Sequence, residues 1–101
     1  MNKLLKSAKK NTPFLSYTIV NERCILGETE KGFYLYFGTD KEIEKYISND
    51  KDKRLIYGRE ISKLSLEQTA RLYFKLQKTF GKVETKRILL TISKKINSSK
   101  K

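Results

Sequence analysis

The sequence predicts a small α+β fold: an antiparallel sheet of three to four strands packed by a short helix and a longer C-terminal helix, with a final segment readable as helix or strand. Three observations predict it. Aromatic and β-branched residues crowd positions 16–37 in short runs separated by polar or glycine breaks, the pattern of neighbouring strands. Thr39 with Glu42 and Ser65 with Gln68 have the capping-box spacing, each just before a run with helical apolar spacing. The 101 residues suffice for one modest core.

Residues 1–12 read as a basic flexible arm, in which Leu4, Leu5 and Ala8 could line one face of a short helix ended by Pro13. Ser16 to Val20 is strand-like, and Arg23 to Leu26 follows across Asn21-Glu22, the connection expected of a hairpin. A polar stretch from Gly27 to Gly32 reads as the next turn. Phe33 to Phe37 is the strongest strand, with Phe33, Leu35 and Phe37 on one face and Tyr34 and Tyr36 on the other.

After the Thr39/Glu42 box, Ile43, Tyr46 and Ile47 form the apolar face of a short helix ending near Asn49. Arg54 to Tyr57 reads as a fourth strand stopped by Gly58. The long helix spans 66–80. Leu66, Thr69, Ala70, Tyr73, Leu76, Gln77 and Phe80 share about 120° of arc and are expected to face the core, Leu72 and Phe74 widen this stripe on either side, and Gly81 takes the left-handed position beyond the helix end. Residues 83–96 fit a helix through Ile88, Leu89, Ile92 and Ile96, or a buried strand through 88–92; the helix is preferred because Leu90 and the flanking lysines do not alternate. One domain over 13–96 and a basic flexible tail at 97–101 complete the expected organisation.

Charge is distributed unevenly. Residues 1–21 hold four lysines and no acid. Residues 22–60 balance to −1, and residues 61–101 carry eleven cations against only Glu67 and Glu84, a balance of +9 in a total of +12. Such segregation points to a polyanionic partner, nucleic acid first, with DNA preferred to RNA. The cations are eighteen lysines and five arginines, a mixture better suited to phosphate contact than to bidentate base reading.

Several function classes are disfavoured. Without histidine there is no Ser-His-Asp or Cys-His machinery, and the lone Cys24 with no His cannot build a structural zinc site. The glycines at 27, 32, 38, 58 and 81 are isolated and form no phosphate loop. Asp50 with Asp52 and Lys53, and Glu84 with Lys86, are the fragments nearest to a nuclease carboxylate set, and both read as surface charge. The expectation is a protein that is not an enzyme and needs no cofactor or metal. No apolar run is long enough to cross a membrane, and one cysteine accords with a cytoplasmic setting.

The candidate nucleic-acid surface is the back of the long helix, where Arg71, Lys75, Lys78 and Lys82 fall within about 60° of arc. Like charges at this spacing repel, and a phosphate backbone would convert the repulsion into affinity by counterion release. Lys86, Arg87, Lys94 and Lys95 extend the region. A standard helix-turn-helix is a poor match, because Gln77 stands where a small residue is needed and Lys82 where an apolar one is needed. Residues 31–37 open like the RNP1 motif and then depart from it at Tyr34 and Leu35; Tyr34 and Tyr36 nevertheless stand as candidates for base stacking. The leading expectation is a small basic nucleic-acid-binding regulator or accessory factor. The alternatives are a phage or mobile-element interaction module or inhibitor that docks a larger host complex, and an RNA-associated structural protein. Leu90, apolar on the charged side of the last segment, hints at a homodimer contact.

Overall fold

The computed structural model describes residues 2–49 and 52–98. They form an α+β protein: a four-stranded antiparallel sheet and helices packed with it, as the strand and capping signals require. The chain divides into two compact units, residues 1–61 and residues 62–101, where the sequence had pointed to one domain over 13–96. The boundary coincides with the change in charge: the second unit holds +9 of the total.

The first unit opens with a correction. Residues 1–12 are not a flexible arm, because helix α1 occupies Lys3–Asn11. Asn2 caps it by accepting the Leu5 N–H at 3.1 Å. Leu4, Leu5 and Ala8 are buried in the core of this unit, and the Thr12 and Tyr36 hydroxyls share a hydrogen bond just beyond the helix end. Burial of three apolar residues outweighs the four lysines, which all point to solvent. Lys9 and Lys10 lie in the last turn, where the helix dipole favours them.

The sheet is β1 (Ser16–Asn21), β2 (Cys24–Thr29), β3 (Gly32–Phe37) and β4 (Tyr57–Glu60), in that order. Thr18, Leu26, Leu35 and Arg59 lie in one cross-strand row. The first turn falls at Glu22-Arg23, one residue later than the sequence implied, because the β1–β2 register shifts between Ile19 and Asn21. Asn21 Oδ1 holds that turn by accepting the Arg23 N–H at 2.8 Å. The second turn contracts to Glu30-Lys31, which leaves Gly27 inside β2. A Cβ at Gly27 would stand 2.4 Å from Cε1 of Phe14. The ring of Phe14, edge-on to Tyr36 with centroids 6.0 Å apart, takes that space.

Helix α2 (Asp40–Ser48) begins with the expected capping box. Thr39 Oγ1 accepts the Glu42 N–H at 3.2 Å, and Glu42 Oε1 accepts the Thr39 N–H at 2.9 Å. Its Ile43 and Tyr46 join Leu4, Leu5, Ala8, Ile25, Tyr36 and Ile56 in one buried cluster. A 3-10 turn at Lys53–Leu55 leads into β4.

The second unit is a helical pair, α3 (Leu66–Phe80) and α4 (Lys82–Ser98), packed on each other. The final segment is therefore helix, with Thr85, Ile88 and Ile92 on its buried side at spacings of three and four. Asn97 and Ser98, expected in a flexible tail, belong to α4; residues 99–101 lie outside the described residues. Ser65 and Gln68 make the second capping box. Gly81 alone joins the helices: its N–H reaches the Gln77 carbonyl at 2.8 Å, while its own carbonyl accepts both the N–H and the hydroxyl of Thr85. Its φ of 84° and ψ of 170° lie outside the left-handed helical region expected for it and in one that glycine alone adopts freely.

Only one edge of the expected face of α3 is buried. Leu72 and Leu76 are buried, whereas Leu66, Thr69, Ala70 and Tyr73 are exposed. The burial axis is turned roughly a quarter turn toward Leu72. Apolar residues occupy more than half of this helix's circumference, so spacing alone could not choose between the two sides.

Candidate nucleic-acid interface

The eight cations singled out in the sequence all lie in the helical pair. On α3, Arg71 and Lys78 are exposed. Lys75 is half-buried, because the rotation of the buried face toward Leu72 draws it inward. The outward row of four is therefore broken at Lys75. Lys82 opens α4, where Lys86, Arg87, Lys94 and Lys95 are exposed.

The acids of this unit are already engaged. Glu67 Oε1 accepts from Arg71 Nη2 at 2.6 Å across one helical turn. Glu84 takes Arg87 through both oxygens, at 2.7 and 2.8 Å. Among the described residues, no carboxylate pairs with Lys78, Lys82, Lys86 or Lys94. Lys82 and Lys86 sit one turn apart on α4, a spacing at which like charges destabilise a helix by a few tenths of a kcal/mol. The surface thus concentrates fixed positive charge on two ordered helices.

The outward side of the pair also carries apolar side chains, of which the sequence singled out Leu90 alone. Val83 and Leu90 share a line on α4 with Arg87 and Lys94, at steps of three and four residues, and Val83 is 87% exposed. On α3, Leu66 is 92% exposed, Phe74 68% and Tyr73 37%. For Val83 the available signal was its place beside Leu90 on the charged side of α4; Leu66, Tyr73 and Phe74 gave little, since the first two lie on the stripe assigned to the core and Phe74 at its margin.

Of the two stacking candidates in the sheet, Tyr36 fails. Tyr36 has no exposed surface. Its ring meets Phe14 edge-on and its hydroxyl is bonded to Thr12. Tyr34 is half-buried and stacked on Tyr36 with centroids 6.5 Å apart. Tyr36 therefore offers no ring to a base, while Tyr34 keeps part of its surface in a shallow cavity with Pro13, Leu15 and Lys31.

The carboxylate fragments are structural. Asp52 grips Arg54 through both oxygens, at 2.7 to 3.1 Å, and hydrogen bonds from the Arg54 side chain and backbone bring its pKa down to about 2. Asp50 lies outside the described residues. No group of three or more Cys, Asp or Glu that could hold a metal occurs among the described residues, and Cys24 is buried in β2. No described helix is long and apolar enough to cross a membrane. The one-residue link at Gly81 departs further from a helix-turn-helix, whose turn needs three or four residues. No protein-family description, no characterised protein and no solved structure matches this chain.

Proposed function

We propose that this protein binds nucleic acid through the helical pair of residues 62–101, as a non-enzymatic regulator or accessory factor in the cytoplasm. DNA is the preferred form. One observation carries the reading: the pair has a balance of +9, its two acids are held by arginines, and Lys78, Lys82, Lys86 and Lys94 are exposed without a carboxylate partner. Phosphates docking on these lysines release counterions and relieve the repulsion between neighbouring cations. Affinity then comes from positioning on the backbone, and any sequence preference from groove shape or a few side chains.

The test is a salt titration of binding to labelled DNA. Contact with about four to six phosphates predicts that log K falls by about 0.9 per phosphate with log salt on duplex DNA. A flat slope overturns the proposal. A second reading, a module docking a larger protein complex, is favoured by the exposure of Leu66, Val83 and Leu90. It predicts a complex that survives nuclease treatment.

A further inference from the structure

We infer that the outward side of α3 is a base-stacking platform for single-stranded nucleic acid, with Phe74 as the stacking ring and Tyr73 as its support. The inference rests on the nucleic-acid reading of the helical pair and deepens it by naming the strand form.

Phe74 lies in the middle of a 15-residue helix, so its exposure is not that of a frayed end. Tyr73 meets it edge-on, with ring centroids 6.3 Å apart and planes at 68°. The Tyr73 hydroxyl accepts the Gln77 Nε2 at 2.9 Å, which restrains the supporting ring. Helical side chains lean over the preceding turn. In the preceding turn on this side stands Ala70, exposed and too small to cover the aromatic face.

Cations stand on the same side of the helix, Arg71 three residues before Phe74 and Lys78 four residues after it. Glu67 already holds Arg71, which leaves Lys78 as the handle for a phosphate. An exposed ring between cations on an ordered scaffold is the combination that binds unpaired strands, because every free base offers a π-face while the backbone supplies charge. In a duplex those faces are spent on neighbouring bases. A second copy of this chain is disfavoured as the occupant, since it would bring +9 against +9.

The experiment uses the full chain with a labelled oligothymidine and a duplex of the same length, at matched salt. The variants are Phe74→Ala, Phe74→Leu and Phe74→Trp. The last places the sole indole of the protein on the platform, because the sequence has no tryptophan. Circular dichroism checks that the exposed substitutions leave the fold intact. The expected result is tighter binding to the single strand, with losses of about ten-fold for Phe74→Ala and Phe74→Leu. The salt slope stays unchanged, Phe74→Trp retains affinity, and its fluorescence is quenched by the single strand alone.

Unchanged affinity in Phe74→Ala overturns the inference while a steep salt slope leaves the broader reading standing. Full affinity in Phe74→Leu assigns a merely apolar contact and also overturns it. So does a nuclease-resistant protein complex that Phe74→Ala abolishes while single-strand affinity is intact. Absence of salt-sensitive binding to either probe overturns both readings.

Discussion

At the scale of single residues, Gly27 is defined by what its neighbour needs. The Phe14 ring lies over its Cα, and any Cβ there would meet Cε1, Cδ1 and Cζ within 2.7 Å. Gly27→Ala is therefore expected to destabilise the first unit by about 1–3 kcal/mol, the usual range for overpacking. Phe14→Ala in the same chain should recover part of that loss, and a double-mutant cycle in urea measures the coupling. The sequence read Gly27 as a turn residue because glycine marks turns, and nothing within a few positions of it reports the ring above. Tyr46 gives a second prediction. Burial, with a lesser contribution from Tyr36, pushes its pKa up to about 12, against a hydrogen bond from Asn11 at 2.8 Å that lowers it. A phenol that holds its proton more tightly when folded stabilises fully below its unfolded pKa of about 10, and that stability is lost as pH rises toward 12. Denaturation midpoints should therefore fall between about pH 10 and 12, and Tyr46→Phe should flatten this decline. Tyr57, whose pKa burial also raises, keeps a residual slope in that variant.

At the scale of elements, the features written into a few consecutive residues were legible and those that depend on neighbours were not. Both capping boxes form as their spacing requires, because each is completed within four residues. Ser65→Ala should cost about 1 kcal/mol, read as a lower thermal midpoint. The buried face of α3 was not legible: Leu66, Ala70, Tyr73 and Phe74 on one side compete with Leu72 and Leu76 on the other, and only packing chooses. Helix α1 was half legible: Leu4, Leu5 and Ala8 marked a helical face, but its lysines outnumber these three apolar residues, and the burial that anchors them depends on distant strands. Gly81 separates two kinds of helix junction. In the left-handed helical region asparagine would be a fair substitute, but at φ 84° and ψ 170° it is not. Gly81→Ala and Gly81→Asn should both destabilise the helical pair, by about 1–3 kcal/mol. Recovery of stability in the asparagine variant would contradict the observed junction geometry. No Cβ clash contributes, because the space around Gly81 is open.

At the scale of the whole molecule, the division into two units separates two electrostatic characters. In residues 1–61 twelve cations are set against nine acids, and along α2 both signs are mixed through Asp40, Lys41, Glu42, Glu44 and Lys45. In residues 62–101 the same tally is eleven against two. A partner attracted by net charge alone would respond to neutralisation anywhere on the surface. A partner docked on the helical pair would respond to position. Replacing Lys78, Lys82 and Lys86 by glutamine should reduce the salt slope of DNA binding by about 0.9 for each phosphate contact removed. Replacing Lys31, Lys41 and Lys45 removes the same charge from the first unit, where acids lie beside them in sequence, and should leave the slope nearly unchanged. All six are exposed lysines, so folding is a minor term in the comparison. Both triple variants have the same net charge, and a difference between their slopes measures where the polyanion sits. Equal slopes would mean that binding is spread over the whole surface, and the helical pair would lose its claim to be the interface.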